Sequence, residues 1–171
     1  MASYKKIARM TDEAMRLRTV ERLLTLREQL RVDVPQRTAT DTLLLATWNI
    51  REFGEGRLDE SYYYIAEIID HFDLVVIQEV NSKQMGGLER VVEILGPGLG
   101  YIVSDGVDGT DGGSEAMAFV FNTHKVQFTG MVGEIVLPNT KLIDGVQFAR
   151  TPYMASFRAG WFDFKLCTVH I

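Results

Sequence analysis

Two apolar runs, LLLATWNI at residues 43–50 and DLVVIQEV at residues 73–80, constrain this chain more than any other feature. Between them lie the Gly-rich turn REFGEGRLDE and a segment in which Tyr62, Ile65, Ile69 and Phe72 recur at helical spacing, with Ile68 beside them. Strand, helix and strand in so short a span make a βαβ unit. Strands over 43–49 and 73–80 are therefore expected to lie parallel, joined by a right-handed crossover through a helix near 60–72. Both runs turn polar at their ends, at Asn49 and at Gln78-Glu79. An amide or carboxylate closing a core strand must find partners or face solvent. What these side chains are for is the question the sequence poses.

A second helix is expected over 82–95, with Leu88, Val91, Val92 and Leu95 on one face and Gly96-Pro97-Gly98 ending it. From Gly100 the texture is that of strands: YIVS, EAMAFVFN, VQFTGMV, YMASFRA and GWFDFKLCTVHI, separated by Gly, Pro, Asn or Asp. Ala116, Ala118 and Val120 alternate with Met117, Phe119 and Phe121, and Trp161, Asp163 and Lys165 with Phe162, Phe164 and Leu166. Upstream, residues 11–31 read as a helix with Met10, Ala14, Leu17, Val20, Leu24 and Leu30 at roughly helical spacing, Thr11 as N-cap and Pro35 as stop. It is expected to cover core surface, the other readings being a partner-binding or dimerising helix. The organisation is a helix and linker over 1–41, then a mixed α/β (α+β) domain over 42–171, helices early and antiparallel strands late.

At 171 residues and 46% hydrophobic, the chain suits one domain. Its net charge of −5 gives no global basic field, which argues against histone-like or repressor-like binding and leaves room for an enzyme that reaches phosphates through a metal ion. The single cysteine, Cys167, has no internal disulfide partner and is expected as a buried, inert thiol in FKLCTVHI. Met85, Met117 and Met154 read as core filler. MASYKKIARM lacks the apolar core of a signal peptide and no apolar run approaches membrane-spanning length, so a cytoplasmic location is the expectation.

Open α/β sheets build sites at the C-terminal edge of parallel strands. With Asn49 and Glu79 as the last residues of their strands, an amide oxygen and a carboxylate are expected side by side there. Hard oxygen ligands of this kind suit Mg²⁺, which takes one or two carboxylates, keeps waters and shares its shell with substrate phosphate. His170 ends the run KLCTV in the same manner. Taken singly, Asn49 also reads as a cap, Glu79 as a helix-start carboxylate and His170 as an exposed histidine; together, at strand ends, they point to a site. His71 and His124 read as a helix-end and a turn histidine. SDGVDGTDGGSE, residues 104–115, spaces Asp105, Asp108 and Asp111 three apart, unlike an EF-hand loop, and is expected as a mobile hairpin loop beside the site.

TWNIREFG, DLVVIQEV, SEAMAFVFN, ARTPYMASF and TVHI occur in the order found in the DNase I-like endonuclease/exonuclease/phosphatase superfamily, which residues 43–171 resemble. The resemblance implies a mixed-sheet sandwich, a Mg²⁺ cofactor with Mn²⁺ or Ca²⁺ as substitutes, and a nucleic acid or other phosphodiester as substrate. Glu79 is similar to the family's metal-binding glutamate, and Asn49 to the asparagine at the metal or scissile phosphate. His170 is similar to the first catalytic histidine, which protonates the leaving oxygen or stabilises the developing charge; Glu115 is similar to the glutamate that orients it. Arg150 resembles an arginine on the phosphate side, where its fork suits phosphate oxygens. Asn81-Ser82 and Ala116 stand where many DNA-cleaving relatives carry basic residues, so the resemblance does not single out duplex DNA.

The family's Asp-x-Asn motif and its Asp-His pair are expected beyond Ile171. These residues are thus expected to be the N-terminal part of a longer hydrolase, without appreciable activity alone and with a large apolar face bared by an absent second sheet. The rival readings are a phosphatase or phospholipase-like hydrolase of the same superfamily, and a binding module that kept the fold without the chemistry. The N-terminal helix and the bared sheet face are the expected routes to a homo-oligomer.

Overall fold

The two apolar runs pair as their composition demands. In the computed structural model, which describes residues 2–105, 115–138 and 148–170, Leu45–Phe53 (β1) lies parallel to Leu74–Asn81 (β2), with Leu45 opposite Leu74 and Asn49 opposite Gln78. The crossover helix Asp59–Ile69 (α2) buries Tyr62, Tyr63, Ile65, Ala66 and Ile69. A second helix, Gly86–Leu95 (α3), buries Leu88, Val91, Ile94 and Leu95. It begins four residues later than its periodicity suggests. The Asn81 side chain explains the delay, since its Oδ1 accepts the N–H groups of Lys83 and Gln84, both at 3.0 Å, and closes an Asx turn first.

Leu99–Val103 (β3) and Glu115–Asn122 (β4) complete a four-stranded sheet of order β1-β2-β4-β3, in which β4 runs antiparallel to both neighbours. The alternation in β4 sorts by size. Ala116, Ala118 and Val120 face α2 and α3, where small side chains let helices approach; Met117, Phe119 and Phe121 face the other way. That other face is covered by a second, three-stranded antiparallel sheet built from Gln127–Glu134 (β5), Tyr153–Ala159 (β6) and Phe162–Thr168 (β7), in the order β5-β6-β7. Phe157 is its anchor: its ring lies 5.4 Å from Phe119 and 5.5 Å from Phe121 across the interface. The apolar face expected to be bare is therefore covered over β2 and β4, because the late strands fold back as a sheet of their own. β1 and β7 remain at the edges of their sheets.

Three further expectations are corrected. The N-terminal helix, Glu13–Asp33 (α1), is capped by Asp12, whose carboxylate accepts from Met15 N at 2.9 Å, rather than by Thr11. Of its apolar residues Leu23 joins the core, but those that carry its periodicity do not form the docking face. Leu17, Val20 and Leu24 are exposed, only Thr19 and Leu23 are buried, and α1 is held to α2 by ion pairs of Arg18 and Arg22 with Glu60 and of Arg27 with Glu67. Cys167 is exposed, since on edge strand β7 it alternates with the inward-leaning Leu166. The linker is fixed by Lys125, whose ammonium donates to Thr38 O at 2.6 Å, to Thr42 O and to Asp73 at 2.8 Å. Residues 106–114 of the Gly- and Asp-rich segment, with Asp108 and Asp111, lie outside the described residues. Among the described residues no helix is long and apolar enough to cross a membrane.

Candidate active site

Neither strand ends where its polar residues begin. β1 runs on from Asn49 to Phe53, and β2 from Gln78 to Asn81, so the expectation that Asn49 and Glu79 close their strands is corrected. What happens there is a break in the ladder. Between the pairs Asn49–Gln78 and Phe53–Val80, Ile50, Arg51 and Glu52 oppose the single residue Glu79. On the other side of β2, Gln78 and Glu79 oppose Met117 alone, between the pairs Ile77–Ala118 and Val80–Ala116. Glu79 is the inserted residue of a bulge, at φ 61°, and Glu52 beside it is at φ 49°. For residues with a side chain this left-handed conformation costs about 1–2 kcal/mol.

The strain has a consequence for the site. Asn49 is paired with Gln78, so in a regular sheet these two would share a face and Glu79 would point opposite, towards the helices with Val75 and Ile77. The bulge turns Glu79 out of that face, and Val80 resumes the helix-side packing in its place. Parallel pairing alone does not bring Asn49 and Glu79 together; the bulge does.

Once turned, the Glu79 carboxylate is held. Its Oε2 accepts the Glu52 N–H at 3.0 Å. That backbone bond is the main influence holding its pKa below the usual carboxylate range; burial works against it, while the Asn49 amide and the neighbouring His170 and Arg150 add to the depression. Oε1 faces His170 Nε2 at 3.4 Å.

His170 lies two residues past the end of β7 with its side chain 13% exposed. Its Nδ1 is 3.1 Å from Glu115 Oε2 and its Nε2 is 3.2 Å from Asn49 Nδ2. Glu115 accepts only, so these partners assign the proton to Nδ1 and leave Nε2 as the acceptor of the Asn49 amide. Arg150, just before β6, donates through Nε to the same Glu115 oxygen at 2.6 Å. All five residues singled out in the sequence, Asn49, Glu79, Glu115, Arg150 and His170, thus stand in one hydrogen-bonded cluster fed by both sheets. Arg150 reaches it through Glu115, a contact its spacing does not foretell. Sequence reasoning missed Glu52, which contributes a backbone N–H and so leaves no side-chain signal.

Against known proteins, no family model matches the chain. Deoxyribonuclease-1 of Bos taurus is 27% identical over an alignment of 128 residues that covers 68% of this chain and 42% of that protein. Deoxyribonuclease-1 of Canis lupus familiaris is 26% identical over 129 residues, with the same coverage of 68% and 42%. Among solved structures, a conserved protein of unknown function from Enterococcus faecalis aligns with a TM-score of 0.54 and 20% identity, covering 75% of this chain and 52% of that one. The fold is that of the DNase I-like superfamily. The chain spans 42% of the length of the curated relatives it matches.

In this DNase I-like sandwich the cluster sits where β1 and β2 of one sheet approach the end of β7 in the other. Among the described residues no group of three or more His, Cys, Asp or Glu side chains is placed to share a metal ion. What the cluster offers is one ionised carboxylate whose Oε1 faces His170, one amide, and a histidine–carboxylate pair backed by a guanidinium.

Proposed function

We propose that this chain forms the metal-side part of a divalent-cation-dependent phosphodiester hydrolase, a nuclease acting on nucleic acid. The observation that carries the reading is the ionised Glu79, locked by the Glu52 N–H beside Asn49 and facing a histidine that Glu115 orients. The likeness to two deoxyribonucleases supports a phosphodiester as substrate.

Mg²⁺ fits this donor set, since it needs only one or two carboxylates and fills its octahedron with water and phosphate oxygen. Glu79 would hold it through Oε1, with the Asn49 carbonyl oxygen as neighbour; Mn²⁺ or Ca²⁺ would substitute. When bound, the ion withdraws charge from a phosphate oxygen and so eases attack at phosphorus. The chain's own groups do the rest. A proton taken up at His170 Nε2 turns that nitrogen from acceptor of the Asn49 amide into donor and passes to the leaving oxygen, while Glu115 keeps Nδ1–H. In the neutral ring Asn49, 3.2 Å from Nε2, sets its direction. Arg150 brings a positive charge to the phosphate side while bracing Glu115.

Both carboxylates of the cluster are committed, Glu79 to the Glu52 N–H and the cation and Glu115 to His170 and Arg150, so neither is left to activate the attacking water. The 171 residues alone are therefore expected to show no appreciable turnover. The test is a panel of supercoiled plasmid DNA, single-stranded RNA, a phosphodiester reporter and a phosphomonoester reporter, assayed with Mg²⁺ on the longest form the gene encodes. Cleavage of the diesters, lost in Glu79→Ala and His170→Ala, is the expected result. Turnover of the monoester alone would replace the nuclease by a phosphatase. Cation-independent binding without hydrolysis would mark a binding module.

A further inference from the structure

Gln78 is the polar residue of DLVVIQEV that the cluster leaves unexplained. It is 7% exposed, and a buried primary amide is costly unless both its hydrogens are placed. They are: Nε2 donates to Thr47 Oγ1 and to Thr168 Oγ1, each at 2.9 Å. One side chain on β2 therefore joins β1 to β7, tying the first sheet to the second.

The partners are placed in a telling way. Thr47 lies two residues before Asn49 on β1, and Thr168 two residues before His170. Gln78 itself adjoins Glu79. Thr168, opposite Tyr153, is also the last residue of β7 in the ladder, so His170 projects beyond the point where strand pairing holds the backbone. Apart from the bonds that His170 and Arg150 themselves make, the sheets meet here through apolar packing of side chains such as Leu74, Val76 and Leu166, which resists separation but constrains sliding only loosely. A hydrogen bond is directional and fixes that freedom.

We infer that Gln78 is a positioning residue: by clamping Thr168 to Thr47 it sets the distance between His170 on one sheet and Asn49 and Glu79 on the other. This rests on His170 acting in the proposed reaction, in which a misplacement of about 1 Å costs on the order of a hundredfold in rate. Thr168 is the arm that crosses between sheets. Thr47 lies on a strand already paired to β2 in register, opposite Val76, and is the lesser arm.

The experiment compares Gln78→Met, Thr168→Val and Thr47→Val, each near-isosteric, by two readouts. The first is the His170 Nδ1–H proton in NMR spectra of the 171-residue chain, shifted downfield and protected from solvent exchange while it is bonded to Glu115. Gln78→Met and Thr168→Val are expected to broaden it or speed its exchange several-fold, and Thr47→Val to leave it within about twofold. Should Gln78→Met fail to fold, Thr168→Val, which removes one hydroxyl, carries the test. The second readout is hydrolysis by the encoded chain, where the same two variants are expected to lower kcat about tenfold with KM unchanged. An unaltered His170 signal in folded Gln78→Met and Thr168→Val overturns the clamp, as does a Thr47→Val effect as large as that of Thr168→Val. A moved signal with unchanged kcat overturns its bearing on the reaction. If the wild-type form of the longest encoded chain hydrolyses nothing, the hydrolase reading fails and the NMR result still decides the clamp.

Discussion

The attachment of α1 to α2 gives the sharpest quantitative expectation. Glu67 on α2 has a side chain only 4% exposed, yet it is ionic, accepting Arg27 through two bonds of 2.8 and 3.0 Å and the Tyr4 hydroxyl besides. Burial alone would raise the pKa of this carboxyl; the hydrogen bonds from Arg27 and Tyr4 and the charge of Arg27 hold it below its usual value. Removing one partner of a fully buried pair costs about 3–5 kcal/mol, because the remaining charge is stranded. The Arg27 end is 42% exposed and Tyr4 stays, so roughly half of that, about 2 kcal/mol, is expected for Arg27→Met near neutral pH. In a domain of this size about 2 kcal/mol lowers the thermal midpoint by about 4–8 °C. The depressed Glu67 pKa fixes the sign of the pH dependence. Its contribution is present above the unfolded carboxyl value of about 4.3 and is lost as pH falls through the lower folded value. At about pH 3 the stranded carboxyl of Arg27→Met is protonated and neutral, so the deficit against wild type should shrink to less than about 1 kcal/mol. Thermal unfolding followed by circular dichroism at both pH values, on wild type, Arg27→Met, Glu67→Gln and the double variant, measures this. A deficit of the same size at both pH values would refute the electrostatic account and assign the role of Arg27 to packing on the Tyr4 ring, 5.5 Å away.

Other consequences follow from single contacts. Asp12→Ala should cost about 1 kcal/mol in urea denaturation and Thr11→Ala close to nothing, since only Asp12 caps α1. Lys125→Met leaves Asp73, 1% exposed, with the Leu44 N–H as its remaining side-chain partner among the described residues, and should cost about 3 kcal/mol by the same measurement while loosening the linker to proteolysis near Thr38. Glu52→Gly keeps the N–H that holds Glu79 and relieves a left-handed φ, so cation-dependent activity should stay within about twofold; Glu52→Pro removes the donor and cannot adopt that φ, and should lose both activity and stability.

The fold was legible where one physical rule acted alone. The run DLVVIQEV reads as a strand buried on both faces because β2 is interior to its sheet, and the size alternation in β4 reports two different covers directly. α1 shows the opposite case. Leu17, Val20 and Leu24 carry the spacing of a docking face and are exposed, while attachment depends on Leu23 and on the ion pairs of Glu60 and Glu67. Two glutamates seven residues apart on α2 look like solvent-facing charge, and only the arginines of another helix make their burial tolerable. No periodicity within one segment can report that. Cys167 was misplaced for a related reason: an apolar run on an edge strand has one face that nothing covers among the described residues.

At the site the limit lies in parity. Residue types and strand membership pointed to Asn49 and Glu79, but period-two alternation, applied faithfully to the pair Asn49–Gln78, would have sent Glu79 into the helix-side core. A lone buried carboxylate beside Val75, Ile77 and Val80 would be untenable, so the bulge and its positive φ are what make a glutamate at this position compatible with the fold at all. The strain of Glu79 and Glu52, about 1–2 kcal/mol each, is offset locally by the bond between the Glu52 N–H and the Glu79 carboxylate. It follows that Glu79→Ala, which keeps the left-handed backbone and deletes the bond, should destabilise the chain although the side chain it removes lies in the cluster rather than the apolar core. Glu79→Gly, which loses the same bond and relieves the strain, should be the more stable of the two by about 1 kcal/mol. Equal stability of the two variants in urea denaturation would show that the bulge is held by its neighbours and that φ at Glu79 is not strained.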